Sequence, residues 1–441
     1  AIGISGMMHG YLAFDKDGKL LAPFRTWRNT NAAKASEILT DYLEFHIPMR
    51  WSVSQYYQSV LDKLDHVKDI AHLTTLAGYI HYCLTGRNVL GINDASGVFP
   101  VKGNEYDREM LDRFNILLKE HGVDVDFRTL IPDIVPADQT AGFLTEAGAK
   151  ILDPRGLLKS GAPVCPPEGD MGTGMIATNS VAPRTANISS GTSVNLTVVL
   201  EKPLKKYYPE VDIVAVPGGE TAALLHANNC TTEINEWVSL FREVMSLFGD
   251  VPSNGEIYTK LFRKSLESDN VVGGLTGYNF LAGEPLAGTS VGLPLIARRQ
   301  DGTLNLANFM QMQIYSAIAA LSLGMDILRK EDVKIDSITA HGGFYKTDFV
   351  GQNATSAVFL APVTVMENAG EGGAWGMALL ALYAVVGKGS LSEFLNGLFE
   401  STGKSTVMAS DEEIEKCNRF LKRYSDGLRG EKVMSEDLND A

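Results

Sequence analysis

VCPPEGDMGTGMIATNSVAPRTANISSGTSVNLTVVL, residues 164–200, combines two devices and a connector. In the first, Glu-Gly-Asp-Met-Gly-Thr-Gly at 168–174, one carboxylate, Asp170, stands among glycines. It lies just ahead of residues 171–178, which read as a short helix. In the second, Ser-Ser-Gly-Thr-Ser joins two strand-like runs, 185–188 and 194–200, and Thr, Asn and Val alternate along the latter as a hairpin requires. Gly191 lets backbone come close to a ligand. The turn N–H groups, with the hydroxyls of Thr192 and Ser193, make a small anion cradle. Ser-Val-Ala-Pro-Arg at 180–184 reads as a hinge. Each device also has an ordinary reading: Asp is a favoured helix N-cap, and Ser-Gly-Thr-Ser is a common hairpin turn. At this short spacing, an acid on one side of a hinge and a phosphate cradle on the other favour phosphoryl transfer across a closing cleft.

At these residues the chain resembles the FGGY carbohydrate kinases, most of all their xylulokinase branch. EGDMGTG is similar to the family's Gly-Asp segment carrying the catalytic base, which makes Asp170 that base. NISSGTSVNL is similar to its second phosphate hairpin, which assigns Gly191, Thr192 and Ser193 to the nucleotide. The resemblance implies an α/β protein of two actin-like (ribonuclease H-like) ATPase domains with a cleft between them. Residues 1–182 would be the sugar-binding domain, incomplete at its start, and residues 183–441 the nucleotide-binding domain. The implied reaction transfers the γ-phosphoryl group of ATP to a sugar hydroxyl, with Mg2+ accompanying the nucleotide and its protein ligands left unassigned. A ketopentose such as xylulose is the first expectation, and another ketose or a polyol the alternative acceptor. From another class, an actin-like nucleotide-binding module without sugar transfer is the rival. The family allows a homodimer.

Composition narrows the field. The 441 residues suffice for two domains with sizeable cores. A hydrophobic share of 45% with 21% charged is that of an ordinary globular chain. The net charge of −14 argues against nucleic acid as the main partner. It leaves ATP open, because turns and a metal would hold the nucleotide locally. The four cysteines, Cys83, Cys165, Cys230 and Cys417, lie far apart, so neither a zinc site nor a disulfide framework is expected, and a reducing cytoplasm fits. The apolar run 377–386 is too short to span a membrane, and no secretory signal is visible.

Before the central stretch, Ala-Ile-Gly-Ile-Ser at 1–5 reads as a buried strand with no lead-in, and the family's Asp-x-Gly-Thr phosphate loop does not occur near it. Ser-Gly-Met-Met-His-Gly at 5–10 resembles a xylulokinase segment at the sugar, which makes Met8 and His9 substrate contacts; Met7 stands where a Gln is usual. Thr-Trp-Arg-Asn-Thr at 26–30 resembles the family's Trp-x-Asp-x-Arg segment. Trp27 would stack on a sugar face, and Arg28 and Asn29 would donate to hydroxyls. Asn-Asp-Ala-Ser-Gly at 93–97 resembles another turn near the sugar and adds Asp94, with plain capping as its alternative. Helices are expected at 31–43, from 51 onward, at 69–84 and at 106–122. Gln55 and Tyr56 face either the cleft or the core.

After it, short strands are expected within 211–223 and helices at 230–248, 254–268 and 305–329. Residues 276–285 resemble a family loop that Glu284 would order. The run 336–344 reads as a buried strand passing through Gly342 and Gly343 into a helix, an arrangement that sets a ligand against free N–H groups. With Lys346 it resembles the family's adenosine motif. A strand at 361–366, a small-residue helix at 367–384, a Ser410/Glu413 capping box opening a helix to 423, and a loose charged end beyond 430 complete the expectation.

Overall fold

The computed structural model describes residues 1–366, 372–400 and 402–439. The chain divides into two compact units. The first comprises Ala1–Pro183, Val199–Ala223 and Glu371–Thr402, and the second Arg184–Val198, Leu224–Gly370 and Gly403–Ala441. The expected single boundary near residue 182 therefore meets a chain that enters the second unit at 184 but returns twice to the first.

In the first unit, Ser5–Gly6 pairs in parallel with Glu168–Gly169, so the start of the chain lies beside the Gly-Asp segment. Leu12–Phe14 pairs antiparallel with His72–Thr74. This corrects the expected helix at 69–84. The β-branched Thr74 belongs to the strand, and Thr75 then caps a shorter helix, Leu76–Thr85, by accepting the Gly78 N–H. Gly86, at φ 73°, ends that helix in the left-handed region. The helix Ser52–Leu61 is buried along almost its whole length, which puts Gln55 and Tyr56 in the core. Tyr56 packs there with Phe127, and Phe127 meets Phe114 edge to face at 4.9 Å. Helix Gly372–Val386 packs on helix Asp170–Ala177 so closely that a Cβ at Gly376 would lie 1.9 Å from the Thr173 carbonyl oxygen. This is the close packing expected of the small-residue helix; its expected first turn, at 367–371, lies outside the described residues. Two capped helices escaped sequence reading: Glu146–Leu152 after Thr145, and Leu391–Phe399 with a capping box of Ser390 and Glu393.

Six neighbouring strands of a seven-stranded sheet, most of them in the second unit, run in the spatial order Thr221–Ala227, Val194–Val199, Thr185–Ser190, Ser337–Gly342, Val363–Met366, Lys404–Val407. The hairpin 185–199 is antiparallel, and its first strand pairs in parallel with Ser337–Gly342, which pairs in parallel with Val363–Met366. Helix Leu306–Lys330, capped by Asn305, is buried along most of its length, as its continuous apolar side requires. The end of the chain corrects the sequence reading. Asp411–Asn439 is one helix rather than a helix to 423 with a loose end. Cys417, Phe420 and Tyr424 form its apolar stripe, and Tyr424 packs on Tyr278 at 4.7 Å. Burial continues past the expected end at Glu431 and Ser435. The Ser410 hydroxyl caps Glu413, but the Glu413 carboxylate turns to Tyr315 and Lys416 instead of closing a reciprocal box. The four cysteines are free thiols. No single described helix is long and apolar enough to cross a membrane.

Candidate functional site

Asp170 is the first residue of its helix, and Gly169 is the N-cap. The ordinary capping role is thus taken by a glycine, leaving the Asp170 carboxylate open to solvent. Its Oδ1 accepts the backbone N–H of Met8 at 3.3 Å and of Met171 at 3.0 Å. Although Asp170 keeps exposed surface, the protein atoms crowded around its carboxylate displace part of its water and raise its pKa, and these two N–H groups oppose the rise. The segment expected at the sugar is therefore hydrogen-bonded to the expected base across 162 residues of sequence.

Two more carboxyl groups lie behind Asp170. Asp94 has no exposed surface; its Oδ2 accepts the Thr75 hydroxyl at 2.5 Å, and its Oδ1 has no partner among the described residues. Burial pushes its pKa up to about 7, with the negative charge of Asp170 contributing and the Thr75 hydroxyl opposing. Glu168, also buried, accepts the Asp94 N–H at 3.1 Å, and burial holds its carboxyl well above the ordinary range. Asp94 was expected to touch the sugar. Its complete burial instead makes it part of the support beneath the surface.

His9 likewise differs from the expectation of a side chain leaving the sheet for open space. It is buried, with φ 68°, and its ring lies nearly parallel to Trp51 at 6.3 Å. Nδ1 lies 3.3 Å from the Gly97 carbonyl, and Nε2 accepts from Arg50 Nε at 3.3 Å. Those partners define the neutral tautomer with the proton on Nδ1. Burial and the adjacent guanidinium lower the His9 pKa to about 3. Arg50 also pairs with Asp212, which His46 approaches at 3.2 Å. Trp27 is exposed, with the Arg28 guanidinium 5.0 Å from its ring, while the Asn29 side chain accepts from Asn31 N–H within the turn. Gln55 joins this turn to the rest: its amide nitrogen lies 3.4 Å from the Thr26 carbonyl and 3.3 Å from that of Arg50. Arg50 and Asp212, which join His9 here, were not singled out from the sequence, and Gln55 was weighed there between cleft and core. Arg50 and Asp212 meet only through folding, and Gln55 sits in an aromatic helical pattern that reads as core.

In the second unit the turn expected at phosphate is fixed from one side. The carbonyls of Gly191 and Thr192 accept from Thr231 N–H at 3.2 Å and Cys230 N–H at 2.9 Å. Asn229, just before them, is anchored by the buried Glu284, whose Oε2 accepts from its side chain at 3.1 Å. Asn229 in turn bonds the N–H and the carbonyl of Ala282, both at 3.0 Å, so Glu284 ties Asn229 to its own loop, the ordering role expected of it. The hydroxyls of Thr192 and Ser193 bond to no described residue. Ser190 is in register with Gly342, which puts the turn beside Gly342 and Gly343. Gly342 has φ 110°, and a Cβ there would lie 2.1 Å from the Ser190 carbonyl oxygen, so both conformation and space demand glycine. Gly343 faces open space, and Lys346 is exposed. The expected direct passage into a helix is corrected: a short 3-10 turn, Gly343–Tyr345, intervenes and the helix starts at Val350. Both glycine devices lie at the carboxyl ends of neighbouring parallel strands, where α/β sheets bind ligands. Among the described residues no cluster of three His, Cys, Asp or Glu side chains forms a metal site.

A solvent-exposed acid at a helix start in one unit and a glycine turn at parallel strand ends in the other are the arrangement expected of a phosphotransferase. Residues 1–173 match the N-terminal domain and residues 186–385 the C-terminal domain of the FGGY family of carbohydrate kinases. The chain belongs to that family: it is a sugar kinase of two actin-like domains, with ATP as co-substrate. Xylulose kinase from Haemophilus influenzae is 26% identical over 449 residues, covering 96% of this chain and 83% of that protein. Among solved structures, xylulose kinase from Rhodospirillum rubrum superposes with a TM-score of 0.75 at 15% identity, over 96% of this chain and 83% of its own. Gluconate kinase from Lactobacillus acidophilus does so with a TM-score of 0.78 at 16% identity, over 98% and 85%.

Proposed function

We propose that this kinase phosphorylates a ketopentose such as xylulose, with Asp170 as the base. The observation carrying the assignment of Asp170 is its hydrogen bond from Met8 N–H, which ties the carboxylate to the segment that resembles the family's sugar contacts. The xylulose acceptor is supported by the likeness to the Haemophilus influenzae xylulose kinase. The first unit, with residues 1–183, 199–223 and 371–402, then acts as the sugar-binding domain and the second unit as the nucleotide-binding domain. Met8, His9, Trp27, Arg28 and Asn29 bind the acceptor, with Asp94 behind them. His9 acts in its neutral form, and Trp27 offers an apolar face to the C–H side of the sugar. Gly191, Thr192 and Ser193 hold phosphate oxygens through N–H and hydroxyl groups, and Gly342, Gly343 and Lys346 receive the nucleoside end. Magnesium enters with ATP.

An ordinary Asp has a pKa of about 4, far below that of an alcohol. Asp170 therefore orients the acceptor hydroxyl and takes its proton late, as the oxygen bonds to phosphorus. ADP release measured with D-xylulose, other ketoses, gluconate and glycerol tests the acceptor. The proposal expects the highest kcat/KM for a ketopentose. A preference for gluconate or glycerol would overturn that choice, and ATP binding without turnover on any acceptor would favour a nucleotide-binding module.

A further inference from the structure

Glu168 and Asn93 join the base to the rest of the first unit through a closed ring of contacts. Glu168 stands two residues before Asp170 and is 1% exposed. Its Oε2 accepts the backbone N–H of Asp94 at 3.1 Å, while its Oε1 has no hydrogen-bond partner among the described residues. It thereby holds the start of the short helix Ile92–Ser96. From that helix Asn93, also fully buried, returns to the base: its Oδ1 accepts the N–H of Gly172 at 3.1 Å, in the first turn of the Asp170 helix. Its Nδ2 donates to the Ala215 carbonyl at 2.7 Å. Both ends of the Asn93 amide are therefore used, and its position is fixed from two directions.

The packing leaves this ring no slack. A Cβ at Gly91 would lie 2.2 Å from the Glu168 carboxyl carbon. One at Gly172 would lie 2.5 Å from the Asn93 amide, and one at Gly169 2.7 Å from Asn93 Oδ1. Three glycines thus surround the two side chains at distances no other residue could accept. A carboxyl group buried this deeply is costly unless its hydrogen bonds are needed. Here they fix the loop that holds the base's helix, while neither side chain reaches the surface.

We infer that Glu168 and Asn93 are positioning residues for Asp170, holding the first turn of its helix so that the carboxylate meets the acceptor hydroxyl in line with the phosphoryl group. The inference rests on the reading of Asp170 as the base. A small displacement of a reacting group can lower turnover by about 100-fold without touching binding.

The test compares Glu168→Ala, Glu168→Gln, Asn93→Ala and Asp170→Asn in the full chain. Glu168→Ala and Asn93→Ala should lower kcat by about 10- to 100-fold, with KM for sugar and ATP held within about twofold, the pattern of an interaction that matters in the transition state. Glu168→Gln keeps an acceptor oxygen and should recover most of the kcat that Glu168→Ala loses. Amide exchange in the peptide 170–177 should quicken in both alanine variants and slow again in Glu168→Gln. Should Glu168→Ala fail to fold, Asn93→Ala carries the comparison. Wild-type kcat in the folded alanine variants, or a loss confined to KM, overturns the inference if Asp170→Asn is inactive. Normal turnover of Asp170→Asn instead overturns the reading of the base itself.

Discussion

Asp94 offers a quantitative check on the buried carboxyl groups. In the folded chain it titrates at about 7 instead of the ordinary 3.8, chiefly because it is buried. Each pH unit of displacement corresponds to about 1.4 kcal/mol, so the full displacement is worth about 4 kcal/mol as an upper bound. The sign follows from proton uptake. Between the two pKa values the folded chain holds a proton that the unfolded chain has lost. The contribution is therefore fully present below pH 3.8 and is lost as pH rises through 7. His9, lowered to about 3, and His46 and His81, lowered to about 4, act in the opposite direction up to the ordinary histidine pKa. A difference between two proteins that share these histidines removes their contribution. Asp94→Asn keeps an oxygen to accept the Thr75 hydroxyl and abolishes the titration. Unfolding free energies of both proteins, from urea titrations followed by tryptophan fluorescence at pH 5, 6, 7 and 8, give that difference. The variant should gain on the wild type by roughly 1 kcal/mol per pH unit up to 7 and level off above it. A difference that does not change with pH would refute a buried Asp94 that ionises near neutrality.

Other substitutions separate binding from folding. At Gly191 an added Cβ meets only the Ser193 carbonyl oxygen, at 4.0 Å. Gly191→Val should therefore leave the melting temperature unchanged but weaken ATP binding by at least about tenfold in calorimetry, a change of about 1.4 kcal/mol; unchanged affinity would count against the cradle. Gly342→Ala combines a strained φ with a backbone collision and should cost roughly 2–4 kcal/mol in denaturant unfolding, a result that a near-native stability would contradict. His9→Ala removes the contacts to Gly97 and Arg50 and should cost about 1–3 kcal/mol of stability, together with some sugar affinity; lost affinity at full stability would contradict its buried setting.

The sequence made the helix start at Asp170 and the hairpin around Gly191 legible because both are local: a carboxylate among glycines, and a small-residue turn between alternating strands. Long helices were legible for the same reason, since the apolar side of 306–330 repeats along the chain. Errors arose where distant packing decided. Thr75 ended a strand and capped a helix because Leu12–Phe14 supplied a partner strand. The final helix continued past residue 423 where Tyr278 and Tyr315 give Tyr424 and Phe420 a surface to cover. His9 and Asp94 lie in segments similar to the family's sugar contacts, yet the sequence could not show that Arg50, Gly97 and Thr75 would enclose them. Asn93 and Glu168, 75 residues apart, had no shared signal at all: a buried ring of backbone N–H groups leaves no spacing pattern.

The account stands most directly on Asp170→Asn, assayed for turnover with ATP and D-xylulose while nucleotide affinity is measured by calorimetry. Because Gly169 is the helix cap and the amide still accepts the Met8 N–H, the fold and the ATP affinity should persist. Turnover should fall by about two to four orders of magnitude, the contribution of a positioned base. Turnover near that of the wild type, in a variant that binds ATP normally, would contradict the assignment of Asp170 as the group that receives the sugar's proton.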